Sequence, residues 1–261
     1  MSSFSTAQRN AIAQFLQTTG VTSSRTAASY LRASNWNLNS AISEFFETSG
    51  GVGSNGGSRG SLAKETKALT QIFEKYQDPE NTSIIGIDGT ISFIQELDVA
   101  LEDPVVLALA CKLDASTVGQ FSKDGFIKGW ISLSADTIPK MKAAVDKLRT
   151  DLANDPAFFK QVYKFTFGFV RPEGQRVLPL ETAVEYWTLL LADKFPSPEL
   201  FNKWITFVTE VYTKAIPKDT WNMLLDFDLL VLSSEQGLDS YDAEAAWPSI
   251  FDDFVAYLKK E

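Results

Sequence analysis

From residue 62 onward, apolar positions recur three and four residues apart in one segment after another, which predicts amphipathic helices. The segments are 62–76, 90–101, 104–113, 122–133, 137–152, 156–170, 180–195, 198–213 and 218–232, followed by a last helix after Trp247-Pro248. Asp78-Pro79, Asn154-Asp155-Pro156 and Arg171-Pro172-Glu173-Gly174 supply the breaks between them. Sustained two-residue alternation is missing, save for a few residues around Ile85 and Val118. The pattern predicts an all-α class.

The first 48 residues carry three shorter patterns of the same kind. Ala11, Ile12, Phe15 and Leu16 mark a helix that stops at Gly20, a suitable C-cap, and Ala27, Ala28, Tyr30 and Leu31 mark a second. Leu38, Ile42, Phe45 and Phe46 mark a third, with Asn37 or Asn39 as its cap. Residues 49–61, SGGVGSNGGSRGS, then read as a flexible linker between two tethered domains, 1–48 and 62–261. They are not a phosphate loop, because the Lys-Ser/Thr ending is absent and no strand precedes them.

Composition narrows the chemistry. With no histidine among 261 residues, Ser-His-Asp and Cys-His catalysis and histidine-ligated zinc are excluded. The one cysteine, Cys111, sits in the apolar run VVLALACKL and reads as a buried, inert thiol, which argues against a thioester-carrying ligase. A single cysteine also fits a reducing compartment, cytoplasm or nucleus. No apolar run is long enough to span a bilayer, and the N-terminus lacks signal-peptide character. A pI near 4.7 argues against nucleic acid as the main partner.

The charge is not evenly spread. Residues 219–261 hold ten acidic and two basic residues, a net −8 out of the whole chain's −9. Trp221, Leu224, Phe227, Trp247, Phe251 and Phe254 are interspersed, so the stretch folds and does not form a disordered acidic tail. Ile250, Phe251, Phe254, Val255 and Leu258 form one helical face, with Pro248, Asp252 and Asp253 in the first turn. Two readings stand for those aspartates: a dipole-stabilised surface helix, or, with Asp219, Asp239, Asp242 and Glu244, a field that orients a basic partner.

Two loops have the rhythm of an EF-hand. Read from Ile84, IIGIDGTISFIQ places Ile91 at position 8 and Gln95 at 12; read from Asp114, DASTVGQFSKDG places Phe121 at 8 and Gly125 at 12. Neither has the bidentate glutamate or the oxygen ligands that calcium needs. The expectation is a degenerate pair joined through Ile91 and Phe121, with no metal and no other cofactor. No nucleophile–base pair assembles elsewhere, so binding is favoured over catalysis.

The segment 1–48 resembles a ubiquitin-associated (UBA-like) domain in its Thr19-Gly20-Val21 loop, its Ala28…Tyr30-Leu31 pattern and the run NWNLNSAISEFF. That resemblance implies ubiquitin binding through Gly20, Val21 and Phe46, although Val21, Phe45 and Phe46 serve equally as core. The remainder resembles the potentiating-neddylation (PONY) domain of the defective-in-cullin-neddylation family, in IDGTISFIQEL, QFSKDGFIKGW, FTFGFV, ETAVEYWTLLL, IPKDTWNMLLDF and above all DSYDAEAAWPSIFDDFVAYL.

This resemblance implies a scaffold-type ligase component that promotes attachment of the Nedd/Rub modifier to cullins, with no catalytic side chain of its own. A cullin's C-terminal winged-helix region would bind at Asp219, Ala246 and Asp252. The acetylated N-terminal methionine of the conjugating enzyme would enter a pocket formed by Thr90, Val106, Leu107, Leu109, Val118, Gly119, Phe121, Phe169 and Leu189. The cullin-associated RING subunit is an implied further partner. The alternative is a ubiquitin-binding adaptor acting mainly through its first domain; a calcium sensor or a conventional enzyme has less support.

Overall fold

The computed structural model describes residues 5–19, 21, 23–49, 58–234 and 237–260. The three- and four-residue spacing becomes helix almost throughout, as an all-α class requires. The chain divides into two compact units, Met1–Ser61 and Leu62–Glu261, each with its own apolar cluster.

In the first unit, α1 (Thr6–Thr19), α2 (Ser24–Ala33) and α3 (Leu38–Ser49) form a three-helix bundle. Ser23 Oγ accepts the Thr26 amide at the start of α2, and Asn37, not Asn39, caps α3 by accepting the Ser40 amide at 3.1 Å. The core closes around Phe15, whose ring meets Phe45 edge-on at 5.4 Å between centroids. The glycine-serine segment is shorter than its composition suggests. Helix α3 continues through Ser49, and α4 (Ser58–Tyr76) already begins at Ser58. The cost of about 1 kcal/mol for Gly60 in a helix is outweighed by the buried stripe of Leu69, Phe73 and Tyr76 further along. Residues 50–57 lie outside the described set.

In the second unit, α4 is followed by β1 (Ile84–Ile85) and α5 (Ile87–Glu96), and α6 (Val105–Lys112) by β2 (Phe121–Ser122) and α7 (Lys123–Ser132). The two strands pair antiparallel with Ile85 opposite Phe121, which is an EF-hand pair in architecture. The join is therefore at Ile85; Ile91 lies inside α5, contrary to expectation. The first loop starts at Asp78, not Ile84, because Tyr76 ends α4 and Asp78 Oδ1 accepts the amides of Glu80 and Asn81. In that frame Gly89 matches Gly125 at the twelfth position. A Cβ on Gly89 would lie 2.0 Å from the Tyr76 carbonyl oxygen, and one on Gly125 2.3 Å from that of Leu113. Backbone occupies the space a glutamate would need.

The rest of the unit is built from α8 (Ile138–Asn154), α9 (Pro156–Val170), α10 (Leu180–Leu191), α11 (Pro198–Thr206), α12 (Lys218–Phe227) and α13 (Ser249–Leu258). Asp155 starts α9 by accepting the amides of Ala157 and Phe158, with Pro156 in the first turn, where its missing N–H is no loss. A short antiparallel ladder, β3 (Val177–Leu178) with β4 (Ile216–Pro217), had no signal in the apolar spacing. Two predicted helices also change geometry near their ends: Phe207–Tyr212 after α11 and Asp228–Leu232 after α12 are π-helical. The wider turn shows in the bonds from the Thr213 amide to Val208 O and from the Ser233 amide to Asp228 O, each spanning five residues.

Tryptophans 187, 204 and 221 are fully buried here. Trp187 stacks on Trp221 at 5.5 Å, and Trp204 meets Phe254 of α13 edge-on at 5.0 Å. Phe227, at the end of α12, stacks on Phe251 of α13 at 4.5 Å. This aromatic core fixes α9, α10, α12 and α13, the elements that carry Phe169, Leu189, Asp219 and Asp252.

Candidate functional site

A cavity of about 520 Å³ opens beside the EF-hand pair. Its volume lies within the range of ligand-binding pockets. Of the nine predicted pocket residues, Thr90, Val106, Leu107, Val118, Gly119, Phe121, Phe169 and Leu189 line it. Leu109 does not. On α6 the lining stripe is Val106, Leu107 and Ala110, and Leu109 points roughly 100° away from its centre at 100° per residue. Its side chain is instead part of the main core, 1% exposed.

The wall is built from α5, α6, the second EF-hand loop, α9 and α10. Thr90 is buried on α5, and its hydroxyl donates to the Gly119 carbonyl at 3.0 Å, tying the helix to the loop. Gly119 has a φ of +76°, and a Cβ there would press on Ile87 at 3.0 Å, so glycine suits both the turn and the space. Three large apolar side chains on the rim are exposed: Ile87 at 60%, Val118 at 49% and Leu101 at 45%. Exposed apolar groups clustered round an apolar cavity mark a place where a partner buries surface.

Several lining residues had escaped the sequence reading, among them Ile87, Ile94, Glu185 and Tyr186. A signal for them existed. Each lies three or four positions along a helix from a predicted one, Thr90 or Leu189, and so shares its face.

Asp103 carries the rim. Its Oδ1 accepts the Val105 amide at 2.9 Å, at the start of α6, and its Oδ2 accepts from Arg149 Nε and Nη2 of α8 at 3.1 and 3.0 Å. One carboxylate thus caps a lining helix and anchors the segment that bears Leu101. A second cavity of about 430 Å³ adjoins the first across Asp103 and Leu189, and includes Arg149 and Lys194.

The acidic residues sit elsewhere in this unit. Asp219 is exposed in the first turn of α12, where the helix dipole favours a carboxylate. Ala246 is exposed just before α13, and Asp252 is exposed in the first turn of α13. Pro248 caps α13, and Asp253 falls just beyond its first turn, one position later than the sequence suggested. Asp252 accepts a hydrogen bond from the Tyr241 hydroxyl at 2.5 Å. Burial, then the Asp252 carboxylate, push the Tyr241 hydroxyl well above its ordinary range, so it stays a donor. Trp247 meets Phe251 edge-on at 5.9 Å, so Ala246 and Asp252 are held by one aromatic cluster. That cluster joins α12 at Phe227, eight residues and about 12 Å of helix from Asp219.

The three residues expected to meet ubiquitin fare differently. Val21 is 7% exposed and packs into the core of the first unit, so its side chain is not offered to a partner. Gly20 and the Phe46 side chain lie outside the described residues. Cys111 is half-buried, and burial raises its thiol pKa, which keeps it protonated and unreactive near neutrality. Among the described residues, no group of histidine, cysteine, aspartate and glutamate is placed to hold a metal, and no helix is long and apolar enough to cross a membrane.

Comparison with known proteins agrees with this architecture. The Cullin binding family model matches residues 140–257, and the UBA-like domain model matches residues 9–51. Defective in cullin neddylation protein 1 of Yarrowia lipolytica is 37% identical over 90% of this chain and 91% of its own length. The protein of the same name from Cryptococcus neoformans is 34% identical over 100% of this chain and 97% of its own. That from Saccharomyces cerevisiae is 28% identical over 89% of this chain and 87% of its own. With relatives this similar matched along nearly their whole length, the chain belongs to the defective in cullin neddylation family.

Proposed function

We propose that this protein promotes cullin neddylation as a scaffold-type ligase component in cytoplasm and nucleus. It holds a cullin at Asp219, Ala246 and Asp252, and the acetylated N-terminal methionine of the Nedd/Rub-conjugating enzyme in the 520 Å³ cavity. The observation that carries the reading is the convergence of eight predicted residues on one apolar cavity in a chain of this family.

The mechanism is positional. The chain has no histidine, and burial raises the thiol pKa of its one cysteine, which disfavours a covalent route through a thiolate. Rate comes from holding the conjugating enzyme's thioester near the cullin lysine, with the cullin-associated RING subunit completing the assembly. Tethering of this kind raises effective concentration to the millimolar range or above and restricts orientation. An apolar cavity favours an acetylated terminus because a free ammonium loses hydration there without an ion partner. The exposed acidic residues suit a basic cullin surface.

Reconstituted transfer of the modifier to a cullin, with and without this protein, tests the reading. A rate that does not rise, or one that rises only with a covalently charged side chain of this protein, would sink it. A second role, ubiquitin binding by the first unit, is supported by the match of residues 9–51 to a UBA-like domain. Removing residues 1–57, which keeps α4 whole, separates the two: the scaffold reading keeps cullin modification, and an adaptor reading loses function.

A further inference from the structure

We propose that Glu102 and Glu185 make the cavity selective for tails that carry a lysine or arginine shortly after the apolar anchor. The inference rests on the cavity's role as a tail receptor and deepens it. Three charged residues line the cavity, Glu102, Asp103 and Glu185, and all three are acidic. Asp103 is already engaged by the guanidinium of Arg149 and by the α6 amide of Val105. Glu102 and Glu185 are exposed, and neither makes an ion pair among the described residues. They come from different walls, Glu102 from the segment before α6 and Glu185 from α10.

The apolar interior and the acidic mouth ask for two things in sequence. Thr90, Ile94, Val106, Leu107 and Phe169 accept an apolar group, and Thr90 spends its hydroxyl on Gly119, so the interior offers little to a charge. Chain that leaves the cavity passes two uncompensated carboxylates. A cation there gains attraction without deep desolvation, whereas an acidic residue is repelled. The neighbouring cavity carries Arg149 and Lys194 beside Asp103 and Asp193, so the negative bias belongs to the first mouth and not to the whole face. Exposed pairs are individually weak, which predicts tuning of affinity by two sites and sensitivity to salt.

The test uses the full chain and acetyl-methionyl peptides that differ only in residues two to four, substituted singly with lysine, alanine or glutamate. Binding is followed by fluorescence anisotropy. The expected result at low salt is about three- to tenfold tighter binding of the best lysine peptide than of the alanine peptide, from two exposed pairs. The glutamate peptide should be weakest. The lysine-to-alanine ratio should fall to about one in the Glu102→Gln/Glu185→Gln double variant. In wild-type protein it should fall likewise as salt rises from about 0.05 to about 0.5 M, a reading that needs no variant to fold. Equal binding of all three peptides to the wild type, or a preference that survives the double substitution, overturns the proposal and leaves the cavity's role intact. Failure of the alanine peptide to bind at all overturns both.

Discussion

Tyr163 and Trp221 are bonded to each other's backbone. The Tyr163 hydroxyl donates to the Trp221 carbonyl at 2.9 Å, the Trp221 indole N–H donates to the Tyr163 carbonyl at 2.9 Å, and the rings stack at 4.7 Å. Trp187 adds a third bond by donating to the Tyr163 hydroxyl at 3.0 Å. Burial holds that hydroxyl far above its ordinary pKa, so it remains a donor. The pair locks α9, which carries Phe169 into the cavity, to α12, which bears Asp219 in its first turn. Both proposed grips therefore depend on it.

Replacing Tyr163 with phenylalanine tests that dependence. The change leaves the buried Trp187 indole N–H without its acceptor and removes the second donor from the Trp221 carbonyl, which lies inside α12 and keeps its place in the helical ladder. At about 1–3 kcal/mol for one buried group left unpaired, a loss of about 1–3 kcal/mol is expected. In a domain of this size that lowers Tm by about 2–10 °C, read by calorimetry.

The acidic patch yields a cleaner prediction, because its members are exposed. Asp219→Lys and Asp252→Lys should each abolish detectable cullin binding in a pull-down or calorimetric titration while the far-UV spectrum stays native. Normal cullin affinity in a folded Asp252→Lys protein would refute the patch.

Val118 stands half-exposed at the cavity mouth. Val118→Asp should weaken binding of an acetyl-methionyl peptide by at least about tenfold, since a carboxylate would be desolvated against the tail. Its melting temperature should stay within about 1–2 °C of wild type, as surface substitutions usually do. Unchanged peptide affinity would count against the cavity as the receptor.

Asp228 sits where α12 gives way to its π-helical end. Burial raises its pKa to about 6, partly countered by the Ser233 hydroxyl at 3.3 Å. Its folded pKa lies above the unfolded value, so its contribution is fully present below about pH 4 and is lost as pH rises through about 6. Asp228→Asn keeps an oxygen for Ser233 and removes the charge. With its partial exposure discounted, the variant should be about 1 kcal/mol more stable at pH 7 and equal to wild type near pH 4. Urea unfolding across that range reads the crossover.

Gly89 and Gly125 stand where a calcium loop carries its glutamate, and backbone carbonyls crowd both positions. Restoring a glutamate at Gly125 should bind no calcium in a titration and should cost about 2–4 kcal/mol, because its Cβ would meet the Leu113 carbonyl oxygen at 2.3 Å. Calcium binding by a folded Gly125→Glu protein would show that the loop can rearrange.

Helical class, the positions of the breaks and the acid-rich C-terminal stretch are local properties. Each depends on spacing within a few residues, on proline and glycine, or on a sum of charges, and these survive in a one-dimensional reading. The EF-hand frame was harder. Its spacing points to a first loop starting at Ile84, and the end of α4 at Tyr76 together with the pairing of Ile85 and Phe121 moves that start to Asp78. The π-helical ends of α11 and α12 and the ladder of Val177–Leu178 with Ile216–Pro217 left no periodic signal at all.

The sequence by itself determined that this chain is helical, that it has no histidine, and that its negative charge is gathered in its C-terminal stretch, because composition and periodicity suffice for each. Tertiary structure decided which apolar residues face a void and which face one another. Leu107 lines the cavity and Leu109, two residues along the same helix, is sealed in the core; Val21 is turned inward. Hydrophobicity assigns all three to the inside, and only the packing of neighbouring helices says which inside is left open for a partner.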